Sequence, residues 1–194
     1  MHVLYVTGLG DSGKLGQRCV VALWRLFGVT PHFFASCWGN TQESFETKLD
    51  RLLRLIDRYA EEDKPVGLVG VSAGSSLALH AFAARRNQVS GVVCISGKIH
   101  HPEGMRSRVM EHNPSFRDSL HKLPRTLSML SQEDRARIRT VYSDGDTVVP
   151  MEDSMIQNTE MELVGHRNHG LTISQQITLG AWRNLQFLRQ LPRK

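Results

Sequence analysis

The sequence is poor in the residues that would mark a secreted, metal-bound or membrane-spanning chain. Its three cysteines among 194 residues, Cys19, Cys37 and Cys94, are odd in number, far apart and without C-x-x-C spacing. Neither a disulfide framework nor a zinc or redox site is expected; the three read as small reduced core residues. Aromatic residues are only 7% of the chain, and the basic residues behind the net charge of +5 are scattered among acids rather than interleaved with aromatics. A nucleic-acid partner is therefore not expected. No apolar stretch approaches the ~20 residues of a membrane span. Met1 runs almost directly into Val3-Leu4-Tyr5-Val6 without a leader-like region, which leads to the expectation of a cytoplasmic protein.

What is present is ordinary globular composition, 40% apolar and 22% charged. A chain of this length can bury roughly 70% of its unfolded surface, and with no repeat, low-complexity tract or dividing linker the expectation is one domain over 1–194. Short apolar runs alternate with stretches of helical period, the pattern of a parallel sheet covered on both faces. Six strands are expected, at His2–Thr7, Thr30–Ala35, Val66–Val71, Gly91–Ser96, Arg139–Ser143 and Met161–Val164. Leu15, Cys19, Ala22, Leu23, Leu26 and Phe27 suggest the buried stripe of a first helix that Gly28 stops. Phe45, Leu49, Leu52, Leu53, Ile56 and Tyr59 suggest a second, and alanine-rich Ala73–Arg86 a third. Ile173, Ile177, Ala181, Leu185 and Leu188 suggest one long final helix. The stretch 97–137, with Pro102, Pro114 and Pro124, breaks the rhythm: it is either a lid or a plain crossover helix with surface loops.

The turn after the first strand fits three readings. Gly8, Gly10 and Gly13 spell G-x-G-x-x-G, yet no acid stands at the end of the second strand to grip a ribose. Gly8-x4-Gly13-Lys14 spells most of a phosphate-cradling loop, but Leu15 stands where a magnesium-binding hydroxyl belongs. The third reading makes the turn one wall of an oxyanion hole, and that requires a nucleophile elsewhere.

Val66-Gly67-Leu68-Val69-Gly70-Val71-Ser72-Ala73-Gly74 supplies one. An apolar strand enters G-x-S-x-G and a helix follows, the context in which a sharp turn lifts a serine hydroxyl into the open. Such a serine needs a histidine to take its proton and an acid to fix the histidine's tautomer. Downstream, Asp144-Gly145-Asp146-Thr147-Val148-Val149-Pro150 follows the fifth strand, and Gly165-His166-Arg167-Asn168-His169-Gly170 follows the sixth. His166-x-x-His169 has no third ligand nearby, so a metal site is not expected. Of the two histidines His169 is preferred, because Thr172 is a plausible N-cap and would leave His169 on the short loop before the last helix.

Together these residues resemble the α/β-hydrolase superfamily over nearly the whole chain. The elbow Gly70-Val71-Ser72-Ala73-Gly74, the acid loop Asp146-Thr147-Val148-Val149-Pro150 and the late histidine fall in the family's order. Gly8-Leu9-Gly10-Asp11-Ser12-Gly13 is similar to the first-strand loop of acyl-thioesterases and small lipases, although Thr7-Gly8 stands where many members carry His-Gly. The resemblance implies a three-layer α/β/α fold, a compact version without the family's first two strands, with a six-stranded parallel sheet in order 2-1-3-4-5-6. It also implies a serine hydrolase acting on a small ester or thioester, with Ser72, Asp146 (rather than Asp144) and His169 as catalytic residues, the N–H groups of Leu9 and Ala73 as the oxyanion hole, and no cofactor. The rivals are a binding protein that keeps this fold without turnover and, more distantly, a nucleotide binder using Gly13-Lys14.

Overall fold

The computed structural model describes residues 1–10, 15–62 and 64–191. Six strands, β1 His2–Val6, β2 Thr30–Phe34, β3 Val66–Val71, β4 Val89–Ile95, β5 Ile138–Tyr142 and β6 Glu160–Leu163, form one sheet in the order β2-β1-β3-β4-β5-β6. Every neighbouring pair is parallel. This is the α/β-hydrolase fold that the sequence implies, with strand ends within one or two residues of expectation. β1, β3 and β4 are buried along their whole length, which explains why they read as unbroken apolar runs rather than alternating ones.

Helices cover both faces. On one lie α1 Leu15–Ala22, continued by a 3-10 turn at Leu23–Phe27, together with α8 His169–Ile177 and α9 Ala181–Gln190. On the other lie α2 Phe45–Ala60, α3 Gly74–Ala84 and α5 Pro114–Ser128, and the short helices α4 Ser107–His112, α6 Gln132–Arg135 and α7 Met151–Ser154 complete the chain. Ser44 caps α2 by accepting the Thr47 N–H, and Leu52 and Ile56 are fully buried on its core side.

Three expectations need correction. The stripe assigned to the first helix faces outward: Leu15, Cys19, Ala22, Leu23 and Leu26 are exposed, and the core is met by Val21 and Trp24. Those two are three residues apart and so share a face, and the helix tightens to 3-10 winding after Ala22. Gly28 does stop the segment, at φ 75°. The long final helix is two helices, broken where Thr178 leaves helical geometry at φ −104°, ψ −94°; the stripe from Ile173 to Leu188 is buried all the same. Of the cysteines only Cys94 is core, since Cys19 lies on the outward side of α1 and Cys37 on a loop. Of the two readings of the 97–137 stretch, the crossover helix describes α5, which packs Phe116, Leu120, Leu123 and Leu127 into the core. That part is a crossover helix.

The α3–α5 contact is locked by a buried histidine. His80 Nε2–H donates to the Ser119 carbonyl at 3.0 Å, leaving Nδ1 to accept the Thr126 hydroxyl at 2.8 Å. Burial pushes its pKa down to about 4; the Ser119 carbonyl works in the other direction but is outweighed, and Lys122 adds to the lowering. An unfolded histidine titrates near ~6.5, so the unfolded chain takes up this proton first as the pH falls. The contribution of neutral His80 is therefore complete above the unfolded value and is lost between about pH 6.5 and 4, by about 3 kcal/mol. Urea unfolding across that range should show wild type losing this increment relative to His80→Asn. Parallel pH profiles for the two proteins would contradict it.

Candidate active site

Ser72 follows β3 directly and begins the turn into α3. Its φ is +51°, a left-handed conformation that costs a non-glycine residue of order 1 kcal/mol or more and persists only when its surroundings enforce it. They do so on both sides: the Ser72 N–H donates to the Ile95 carbonyl at 2.9 Å, and its carbonyl accepts the N–H groups of Ser75 at 3.1 Å and Lys98 at 3.2 Å. The flanking glycines are steric necessities. A Cβ on Gly70 would lie 2.6 Å from the Ser75 Cα, and one on Gly74 would lie 2.3 Å from the Val6 carbonyl oxygen.

Three side chains chosen from the sequence meet here. His169 Nε2 is 3.0 Å from Ser72 Oγ, and His169 Nδ1 is 2.7 Å from Asp146 Oδ2. An ionised Asp146 makes Nδ1 the protonated nitrogen, so Nε2 is free to accept the serine proton. The other Asp146 oxygen accepts the N–H groups of Val148 at 3.0 Å and Val149 at 2.9 Å. Burial opposes the charge on Asp146. The hydrogen bonds from His169 and from the Val149 and Val148 N–H groups outweigh it and hold the carboxyl below its usual range.

The competing pair is elsewhere. His166 Nδ1 lies 3.4 Å from Asp144 Oδ1, and both side chains are largely in solvent. The position of His169 differs from expectation in one respect: it is the first residue of α8 rather than a loop residue. Asn168 is the N-cap, accepting the Leu171 N–H at 2.9 Å, while Thr172 is a buried helical residue whose hydroxyl donates to the Asn168 carbonyl. Asn168 satisfies the cap signature equally well and lies four residues earlier.

Gly8 presses against Ser72, for a Cβ there would sit 2.9 Å from Ser72 Cβ and 3.5 Å from the Ala73 nitrogen. Leu9, the next residue, thus stands beside Ala73, and neither N–H has a partner among the described residues. Thr7, which stands where the resemblance would have His, ties the turn in its own way: its hydroxyl accepts the Ser36 N–H at 3.0 Å, and the Ser36 hydroxyl donates to the Thr7 carbonyl at 2.8 Å. The β1 and β2 loops are joined through that exchange. Gly13 and Lys14 lie outside the described residues. Among the described residues no group of three or more His, Cys, Asp or Glu side chains is placed to hold a metal.

Supporting residues that the sequence reading missed are lysines. Lys48, wholly buried, reaches from α2 to the carbonyls of Cys37 at 2.5 Å and Asn40 at 3.1 Å and to Glu43 at 3.3 Å. It braces one wall of a cleft of about 530 Å³ lined by Leu9, Gly10, Cys37, Gly39, Asn40, His112 and Asn113. Lys98 pairs with Asp153 in a buried ion pair and donates to the His101 carbonyl at 2.9 Å. That pair fixes the segment leaving β4 beside Ser72. Lys48 lies three residues after Phe45 and four before Leu52, on the buried side of α2, where a lysine is not expected; no local spacing links Lys98 to an acid 55 residues away.

Comparison with known proteins agrees with this architecture. A family model described as BAAT / Acyl-CoA thioester hydrolase C terminal matches residues 45–190. Among curated proteins none matches significantly by sequence. Among solved structures, Est1E from Butyrivibrio proteoclasticus with bound ferulic acid superposes with a TM-score of 0.68 at 14% identity, covering 95% of this chain and 89% of that one. A monoacylglycerol lipase from Paleococcus ferrophilus gives 0.59 at 13% identity, with 97% and 94% covered. Carboxyl esterase 2 from the fungus Tuber melanosporum gives 0.65 at 14% identity, with 98% and 78% covered.

Proposed function

The chain belongs to the BAAT / acyl-CoA thioester hydrolase C-terminal family, and from that premise we propose that it is a serine hydrolase cleaving a small ester or thioester through an acyl-enzyme on Ser72. The observation that carries this reading is the unbroken hydrogen-bond chain Ser72 Oγ, His169 Nε2, His169 Nδ1, Asp146 Oδ2 at 3.0 and 2.7 Å. Ser72 Oγ attacks the carbonyl carbon while His169 Nε2 takes its proton. The electron pair of the carbonyl moves onto oxygen, where the N–H groups of Leu9 and Ala73 receive it. Collapse expels the alcohol or thiol, protonated by His169, and leaves the acyl group on Ser72. Water then repeats the sequence, with His169 as base, and the acid is released. Asp146 stays ionised throughout and stabilises the imidazolium. Each oxyanion donor contributes a factor of about 10²–10³, and the chemistry requires no cofactor.

The mouth of the site has room for a substrate beside Leu9, in the cleft braced by Lys48. Residues 1–194 are proposed to act as one catalytic domain in which the 97–113 part of the crossover borders that cleft. A screen of p-nitrophenyl esters of graded acyl length would rank what the cleft accepts.

The test is covalent labelling. A fluorophosphonate should add one equivalent to the intact protein, mapping to the Ser72 peptide, because only an activated serine attacks phosphorus readily. A folded sample that takes no label, or labels elsewhere, would favour a binding protein that keeps the fold without turnover.

A further inference from the structure

Two stretches of this chain contain no carboxylate. Residues 12–42 and 163–194 together carry eight Lys and Arg and neither Asp nor Glu, whereas the other 131 residues hold 16 Lys and Arg against all 19 acids. α1, the 3-10 turn, α8 and α9 come from these stretches and pack on the same face of the sheet, around Tyr5, Val69, Val93 and Val141. Arg18, Arg25, Arg183 and Arg189 stand on these elements, which carry no Asp or Glu. Positive charge on this layer is therefore not balanced by acids on the same helices.

That layer also exposes the apolar stripe that the sequence reading had assigned to the core. The 3-10 turn meets the break between α8 and α9, where Trp24 Nε1 donates to the Ile177 carbonyl at 2.9 Å and the rings of Phe27 and Trp182 lie 6.1 Å apart. Around this junction Leu23 is 58% exposed, Leu26 80%, Leu179 85% and Trp182 48%. Arginines border it. Arg25 has no carboxylate within 4 Å among the described residues, and Arg183 meets only Glu162, at 3.3 Å, which it shares with Arg139.

We propose that this face docks on an anionic phospholipid surface. Leucines that enter the boundary between headgroups and acyl chains, a tryptophan at headgroup level and arginines among the phosphates are the features of a protein lying on a bilayer without crossing it. No described helix is long and apolar enough to cross one. A second copy of this chain is disfavoured as the occupant, because a two-fold contact would set one arginine-bordered face, whose helices carry no carboxylate, against another. The 3-10 turn ends at Gly28, just before β2 begins at Thr30, so the patch lies where the strands start and Ser72 where they end. Docking therefore leaves the mouth of the hydrolase site facing water. The proposal is independent of the catalytic reading.

Flotation with phosphatidylcholine vesicles, with and without about 30% phosphatidylserine, tests it. The protein should float with the anionic vesicles and not with the neutral ones, and should be released as NaCl rises from about 0.1 to 1 M and the screening length shortens from about 10 to 3 Å. Leu26→Ser/Leu179→Ser should bind about tenfold more weakly or worse, and Arg25→Gln about fivefold more weakly, both with unchanged melting temperature and p-nitrophenyl ester hydrolysis. The proposal is overturned by no binding at low salt, by equal binding to neutral vesicles, or by variants that bind as wild type does. It is overturned in favour of a homodimer if light scattering finds a dimer that Leu26→Ser/Leu179→Ser dissociates while vesicles are ignored.

Discussion

Replacing His169 by alanine is expected to lower hydrolysis by about 10⁴-fold or more and to abolish fluorophosphonate labelling of Ser72 at the same time. The two losses are coupled because His169 Nε2, 3.0 Å from the serine oxygen, is the only group proposed to take its proton, and an un-ionised serine attacks neither an ester nor a phosphorus centre. Asp146→Asn should cost on the order of 10⁴ through a different route. An amide can donate to Nδ1, and the histidine would then carry its proton on Nε2, facing the serine. The fold should survive, since asparagine can still accept the Val148 and Val149 N–H groups that Asp146 holds now. His166→Ala and Asp144→Asn should each keep at least about a tenth of wild-type activity, as expected of an exposed pair that does not touch the chain of hydrogen bonds at Ser72. An inactive His166→Ala enzyme beside an active His169→Ala enzyme would exchange their roles. The corresponding result for Asp144 and Asp146 would do the same for the acid.

The second large effect is structural. Gly74→Ala should destabilise the protein by about 3 kcal/mol, the upper end for overpacking, equivalent to a drop of roughly 6–12 °C in melting temperature for a chain of this size. The added methyl would lie 2.3 Å from the Val6 carbonyl oxygen and 2.6 Å from that of Thr7. Both are backbone atoms of the central strand β1 and its exit, so no side chain can turn aside to relieve the clash. Moving α3 away from β1 would also separate Leu9 from Ala73, so turnover should fall further than the folded fraction alone accounts for. Thermal denaturation and kcat measured on the same preparation check both parts. A melting temperature within a degree of wild type would show that the elbow is looser than its contacts imply.

The parts legible in the sequence are those whose signal is local. The buried strands declare themselves as short apolar runs, and the elbow by small residues two before and two after the serine. Asp146 and His169 follow strands in the expected order, with Asp144 and His166 as the rivals that order leaves open. Where the reading failed, a tertiary effect had outweighed a local one. Leu15, Cys19, Ala22, Leu23, Leu26 and Phe27 recur at one-face spacing and so suggest the inward stripe of α1, but Trp24, with its N–H satisfied by the Ile177 carbonyl, occupies the core side. The break at Thr178 leaves apolar spacing intact on both sides, so periodicity could not detect it. Lys48 has a positional sign, three residues after Phe45 and four before Leu52 on the buried side of α2, but its partners and the Lys98–Asp153 pair have none: each is a buried charge made tolerable by carbonyls or a carboxylate that the fold brings to it.

The all-parallel strand order carries a consequence for how the chain reaches its native state. No neighbouring strands can be joined by a hairpin, so each pairing waits on the closure of a long crossover, the kind of non-local contact that slows folding. The hydrogen bond between His169 and Ser72 spans 97 residues of chain and requires β4, β5 and β6 to be laid down in turn beside β3. A nascent or partly refolded molecule can thus hold the serine in its turn and still lack the proposed base. Hydrolytic competence arrives with the last edge of the sheet.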